Sequence, residues 1–158
     1  MEQKEATFGA GCFWGVEDAF CKVPGIIETE VGFMGGHVPD VSYEKVCDGS
    51  TGHAEVVHVT YDPQKVSYKE LLKVFWKVHD PTQYHRQGPD VGSQYRSAIF
   101  YYDDEQKREA EESVGKLEAS GNYTSEIVTE IEKAGPFYRA EEYHQKYFQK
   151  QGGGTCHV

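Results

Sequence analysis

Positive charge is in short supply in this chain. Its 158 residues carry 16 Lys and Arg against 26 Asp and Glu, a net charge of −10 at pH 7. A field of that sign repels phosphate backbones and anionic lipid, so neither nucleic acid nor a membrane is expected as a partner. No apolar run reaches the roughly 18 residues a membrane-spanning helix needs, and no basic stretch followed by an apolar one opens the chain as a secretory leader does. A cytoplasmic monomer acting on small or peptide substrates is the expectation. Cysteine is sparse as well: Cys12, Cys21, Cys47 and Cys156. None sits in a Cys-x-x-Cys pair, and cysteines and histidines do not recur at zinc-ligand spacing. No metal or other bound cofactor is expected, and four isolated thiols point to thiol chemistry rather than to a disulfide scaffold.

The length suits one domain with a core of its own. Residues 1–150 are expected to form a single catalytic domain, and 151–158, opening Gln151-Gly152-Gly153-Gly154, a mobile Gly-rich tail. Hydrophobic periodicity reads as strand 4–8, helix 13–22, strand 26–34, strand 54–61, helix 68–78 and strand 98–102. That β-α-β-β-α-β order predicts an α+β fold, a two-layer sandwich with a ferredoxin-like core in which helices cover one face of a largely antiparallel sheet. The second helix carries a capping box, Ser67 with Glu70. A charged helix at 103–119, a short strand at 127–131 and a last helix at 140–149 follow. Two connections, 35–53 and 79–97, exceed the usual length, and loops of that size often carry function.

The stretch Gly9-Ala10-Gly11-Cys12-Phe13-Trp14-Gly15 puts a cysteine where a strand gives way to a helix. Unpaired N–H groups at a helix start favour a thiolate, while Glu17 and Asp18 oppose it. Phe13 and Trp14 offer an apolar wall for a small group held against the sulfur. The competing reading is a buried, inert thiol.

In strand 54–61, Glu55 shares parity with Val57, Val59 and Tyr61. Facing inward, it is desolvated and becomes a proton donor near neutral pH; turned outward, it is an ordinary surface carboxylate. Tyr43 and Tyr95, in the two long connections, can hydrogen-bond a substrate oxygen, though most of the 11 tyrosines must pack or face solvent. Asp90 either orients such a network or simply makes a turn. Cys156 lies eight residues beyond Phe148, an extended reach of at most ~28 Å, enough to visit Cys12. Cys21 stands ~13 Å from Cys12 along a regular helix, outside disulfide range. Cys21 and Cys47 read as structural.

These segments together resemble the A class of methionine sulfoxide reductases, the peptide-methionine (S)-S-oxide reductases, over nearly the whole length. The signatures are Gly11-Cys12-Phe13-Trp14-Gly15, Tyr43 through Val46-Cys47-Asp48-Gly49, Thr51-Gly52-His53-Ala54-Glu55, His79-Asp80-Pro81-Thr82-Gln83, and Gln87-Gly88 with Gln94-Tyr95-Arg96-Ser97. The resemblance implies a two-layer α/β sandwich and reduction of methionine S-sulfoxide, free or in proteins. It implies Cys12 as nucleophile, Glu55 as the acid that protonates the sulfoxide oxygen, and Tyr43 and Tyr95 as phenols bonding that oxygen. Phe13 and Trp14 would enclose the substrate methyl, and Asp90 would support the network. Cys156 would resolve the Cys12 sulfenic acid as a disulfide, which thioredoxin or another dithiol reduces. Two departures stand out. Pro89 replaces the Asn more usual before Asp90, removing a backbone N–H, and Cys156 is the only cysteine beyond Cys47, where many bacterial members carry two.

Other chemistries fit less of the chain. A cysteine peptidase could pair Cys12 with His144, 132 residues on, but leaves Glu55 and the tyrosines without a task. His53-Ala54-Glu55 echoes the zinc deaminases, whose Pro-Cys-x-x-Cys does not follow. A redox-switched binding module could use Cys12 and Cys156 as a regulatory pair without turnover.

Overall fold

The structure, a computed structural model, describes residues 2–150. In chain order these form β1 (Lys4–Ala10), α1 (Phe13–Cys21), β2 (Ile26–Met34), α2 (Tyr43–Cys47), β3 (Ala54–Tyr61), α3 (Tyr68–Lys77), β4 (Arg86–Gln87), β5 (Asp90–Val91), β6 (Ser97–Tyr101), α4 (Asp104–Ala119), β7 (Glu130–Lys133), β8 (Tyr138–Arg139) and α5 (Tyr147–Lys150). Short 3₁₀ turns stand at Ser93–Tyr95 and Glu142–His144. The Gly-rich segment with Cys156 lies outside the described residues.

The fold is mixed α/β. Its main sheet runs β7-β6-β1-β3-β2-β8, antiparallel throughout except where β7 lies parallel to β6. Alternation along β3 sends Glu55, Val57 and Val59 to one face and Ala54 and Val56 to the other. On the first face Phe8 of β1 stacks on Phe20 of α1 at 5.1 Å and on Phe75 of α3 at 5.2 Å between ring centroids. One aromatic thus ties the sheet to both helices, each such buried ring contributing roughly 1.5–3 kcal/mol. The opposite face, with Met34, Ala54, Val56, Ala98 and Phe100, is covered by Ala134 and Phe137. Helix α3 starts as its sequence predicts: Ser67 Oγ accepts from the Glu70 N–H at 3.1 Å, and Glu70 Oε1 accepts from the Ser67 N–H at 3.3 Å.

Strand register decides where the site forms. Ala10 pairs with Ser97 of β6, and β1 runs antiparallel to β3 with Phe8 opposite Val57. The C-terminal end of β1 therefore meets the N-terminal ends of β3 and β6, so residues flanking Cys12, Glu55 and Tyr95 gather at one edge although Glu55 and Tyr95 stand 43 and 83 positions from Cys12 in sequence.

The expected last helix at 140–149 is not continuous. Lys146 has φ +52°, and its N–H donates to Glu17 Oε1 at 2.7 Å instead of to a helical carbonyl. Gln145 turns inward, its amide accepting from the Val31 N–H at 2.8 Å and donating to the Val31 carbonyl at 2.9 Å. The segment is a strap laid across α1 and β2, ending in the one-turn α5. The strand expected at 127–131 begins later, at Glu130. The two long connections also hold structure of their own, α2 in the first and the β4–β5 hairpin in the second. No helix among the described residues is long and apolar enough to cross a membrane.

Candidate active site

Cys12 is the N-cap residue of α1 and is partly buried. Gly11 before it has φ +99°, and a Cβ there would stand 2.9 Å from the Gln87 side chain. Glycine thus both permits the turn into α1 and lets Gln87 close over it. Gln87 is itself fixed, accepting from the Asp80 N–H and donating to the Asp80 carbonyl, each at 2.9 Å.

The pull of the helix start on the Cys12 thiol is present but outweighed by burial. Burial pushes the Cys12 thiol up to about 11, with the carboxylates of Glu55 and Asp90 adding to the rise, while the Trp14 and Gly15 N–H groups pull it down. The opposing acids are therefore Glu55 and Asp90, not the sequence-adjacent Glu17 and Asp18. Glu17 is instead buried at the strap, where Thr29 Oγ1 donates to it at 2.7 Å.

Glu55 faces inward and is only 1% exposed. Its Oε1 accepts from the Phe13 N–H, the first of α1, at 3.2 Å, and its Oε2 is buried without a partner. Burial raises the carboxyl to about 8; the Phe13 N–H lowers it and Asp90 raises it further. Glu55 is consequently protonated at neutral pH, and with Oε2 unpartnered it is a ready donor.

Tyr43 opens α2 and Tyr95 closes the 3₁₀ turn before β6. Burial raises both phenols, with Glu55 the next cause in each; Tyr95 reaches about 12. Both remain hydrogen-bond donors across the accessible pH range. Asp90 lies in β5, and its charge acts on Cys12, Glu55 and Tyr95. Pro89 sits exposed in the hairpin turn, where its missing N–H leaves the Gln87–Asp90 pairing intact. The seven candidates within the described residues, Cys12, Phe13, Trp14, Tyr43, Glu55, Asp90 and Tyr95, thus converge, Trp14 through its ring.

The aromatic wall is held by residues the sequence reading had not assigned to it. The Trp14 indole Nε1–H donates to His144 Nδ1 at 3.0 Å, and its ring stacks on Tyr147 at 3.9 Å. His144 is 1% exposed and lies 4.3 Å from the Tyr43 ring and 5.4 Å from Phe13. Because Nδ1 accepts from Trp14, a neutral ring carries its proton on Nε2, which has no partner. His144 is thus committed to orienting Trp14 rather than to acting as a peptidase base. Tyr143, His144, Tyr147 and Phe148 form an aromatic-rich run in the sequence, a signal hidden by reading that segment as a plain helix.

Cys21 is fully buried at the end of α1. Cys47, expected to be structural, is instead exposed. It lies one turn from Tyr43 on α2; partial burial raises its thiol, and the nearby Tyr43 hydroxyl acts to lower it.

Comparison with known proteins agrees with this arrangement. The profile of the family described as peptide methionine sulfoxide reductase matches residues 4–158. The peptide methionine sulfoxide reductase MsrA of Methanothermobacter thermautotrophicus is 61% identical over 155 residues, covering 98% of this chain and 92% of that protein. Its namesake from Methanoculleus marisnigri is 61% identical over 153 residues, with 97% and 93% covered. The crystal structure of reduced Mxr1 from Saccharomyces cerevisiae superposes with a TM-score of 0.88 at 39% identity, covering 99% of this chain and 90% of that one. Mxr1 in complex with Trx2 superposes with a TM-score of 0.64 at 27% identity, covering 92% and 85%. The chain belongs to the peptide methionine sulfoxide reductases of the A class and is an oxidoreductase.

Proposed function

We propose that this protein reduces methionine S-sulfoxide, free or within proteins, to methionine, and that thioredoxin or an equivalent dithiol returns it to the reduced state. The observation carrying this reading is Glu55: a carboxyl that is buried, protonated at neutral pH, and presents an unpartnered oxygen beside a cysteine at a helix start.

A sulfoxide sulfur is a weak electrophile until its oxygen is protonated, so the site must supply a proton and a sulfur nucleophile side by side. Glu55 delivers the proton to the oxygen, which Tyr43 and Tyr95 hold by hydrogen bonds while Asp90 supports the network. Neutral Glu55 also spares Cys12 one opposing charge, and the N–H groups of Trp14 and Gly15 stabilise the thiolate as it attacks. The substrate methyl lies against Phe13 and Trp14. Cys12 sulfur bonds to the substrate sulfur, the oxygen passes to Cys12, methionine departs, and the enzyme holds a sulfenic acid. The Cys156 thiol then condenses with it, forming a disulfide and releasing water, and the dithiol reductant cleaves that disulfide.

In this reading the four central strands with α1 and α3 act as a ferredoxin-like core, residues 1–150 are the catalytic domain, and 151–158 carry the resolving cysteine. The S-epimer and the Cys156 role rest on the family resemblance, and the reductant on the yeast relative's complex with Trx2. The test is Cys12→Ser under single turnover with one equivalent of methionine sulfoxide. No methionine release is expected; release at the wild-type rate would remove Cys12 as nucleophile.

A further inference from the structure

We propose that Cys47 is a second resolving thiol of this active site, able to condense with the Cys12 sulfenic acid in place of Cys156. The inference rests on the reading of Cys12 given above and extends it to a residue that reading leaves idle.

Three observations carry it. Cys47 and Tyr43 are one turn apart on α2, so they share a helix face, and the face that presents Tyr43 turns toward Phe13, Trp14 and His144. Partial burial raises the Cys47 thiol, and the nearby Tyr43 hydroxyl, assigned above to the sulfoxide oxygen, acts to lower it. Glu55 acts electrostatically on Cys12 and Cys47 alike, and Tyr95 lies in the field of both thiols. Cys47 therefore borders the same group of residues that surrounds Cys12, from the solvent side, as a free thiol. Glu55 Oε2, buried and unpartnered, remains available for the departing oxygen.

The step balances without an added oxidant. The Cys12 S–O bond breaks, a Cys12–Cys47 S–S bond forms, and the Cys47 thiol proton leaves with the hydroxyl as water. An exposed disulfide at the mouth of the site is then open to the same dithiol reductant.

The experiment uses the full chain as Cys156→Ser and as Cys47→Ser/Cys156→Ser, each given one equivalent of methionine sulfoxide without reductant. Methionine release near one equivalent in both variants shows that each is folded and that the chemical step is intact. The single variant is then expected to lose two thiols, yield a Cys12–Cys47 linked peptide by mass spectrometry, and turn over with thioredoxin. The double variant is expected to lose one thiol and retain a Cys12 adduct with dimedone. Equal dimedone adduct in both variants, or a Cys12–Cys21 link in the single one, would overturn the role of Cys47 alone. Failure of the wild-type chain to release methionine would overturn the proposed function and this inference together.

Discussion

Replacing Glu55 by Gln should separate catalysis from stability in opposite directions. A free glutamate titrates near 4.5, whereas burial holds this one to about 8. Because the folded-state value is raised, the carboxyl's full share of stability is present below pH 4.5 and is lost progressively as pH climbs to 8 and the unfolded chain alone sheds its proton. That loss amounts to ~3 kcal/mol at pH 7 and ~5 kcal/mol above pH 8. Gln keeps the shape and can still accept from the Phe13 N–H, but has no proton to lose. Allowing for a weaker bond to that N–H, Glu55→Gln should gain about 1–3 kcal/mol at pH 7, raising Tm by roughly 3–10 °C in a chain of this size. The same change should slow single-turnover methionine release by about 10²–10⁴. Wild-type turnover should fall as pH rises through about 8, where Glu55 ionises, and the variant should lack that descending limb. Urea unfolding and quenched-flow release of methionine, each across pH 6–9, are the assays. A variant that is no more stable than wild type and reduces sulfoxide within threefold of its rate would refute both the burial argument and the proton-donor role.

Two further substitutions probe the frame around the site. His144→Ala leaves the Trp14 indole N–H without its acceptor, so the wall should lose its orientation: KM for methionine sulfoxide is expected to rise roughly tenfold with kcat changed much less, and an unchanged KM would show that His144 does not position Trp14. Gln145→Leu removes the amide that satisfies both the Val31 N–H and the Val31 carbonyl; leaving these buried groups unpaired should cost about 2–4 kcal/mol in urea unfolding, and a loss below about 0.5 kcal/mol would mean that the strap does not stabilise β2.

The sequence by itself determined whatever depends on near neighbours along the chain. The capping box at Ser67 and Glu70, the placement of Cys12 at a helix start and the parity of Glu55 on its strand are all local, and the structure keeps each of them. The order of the central elements was legible for the same reason, since periodicity is a property of one segment at a time. Tertiary structure decided what depends on meetings between segments. Whether Glu55 faced core or solvent turned on which side of the sheet α1 and α3 cover, and the state of the Cys12 thiol turned first on its burial and then on Glu55 and Asp90, 43 and 78 positions away, rather than on the acids beside it. The strap at 140–150 misled a periodic reading because Lys146 takes a positive φ and donates its N–H to Glu17 while the Gln145 amide pairs with Val31, which breaks the run of helical bonds. Cys47 stands one turn from Tyr43 only because of α2, a helix too short to announce itself by periodicity and fixed by what packs around Tyr43. Desolvation and long-range charge set the chemistry here, and both are properties of a packed volume rather than of a string.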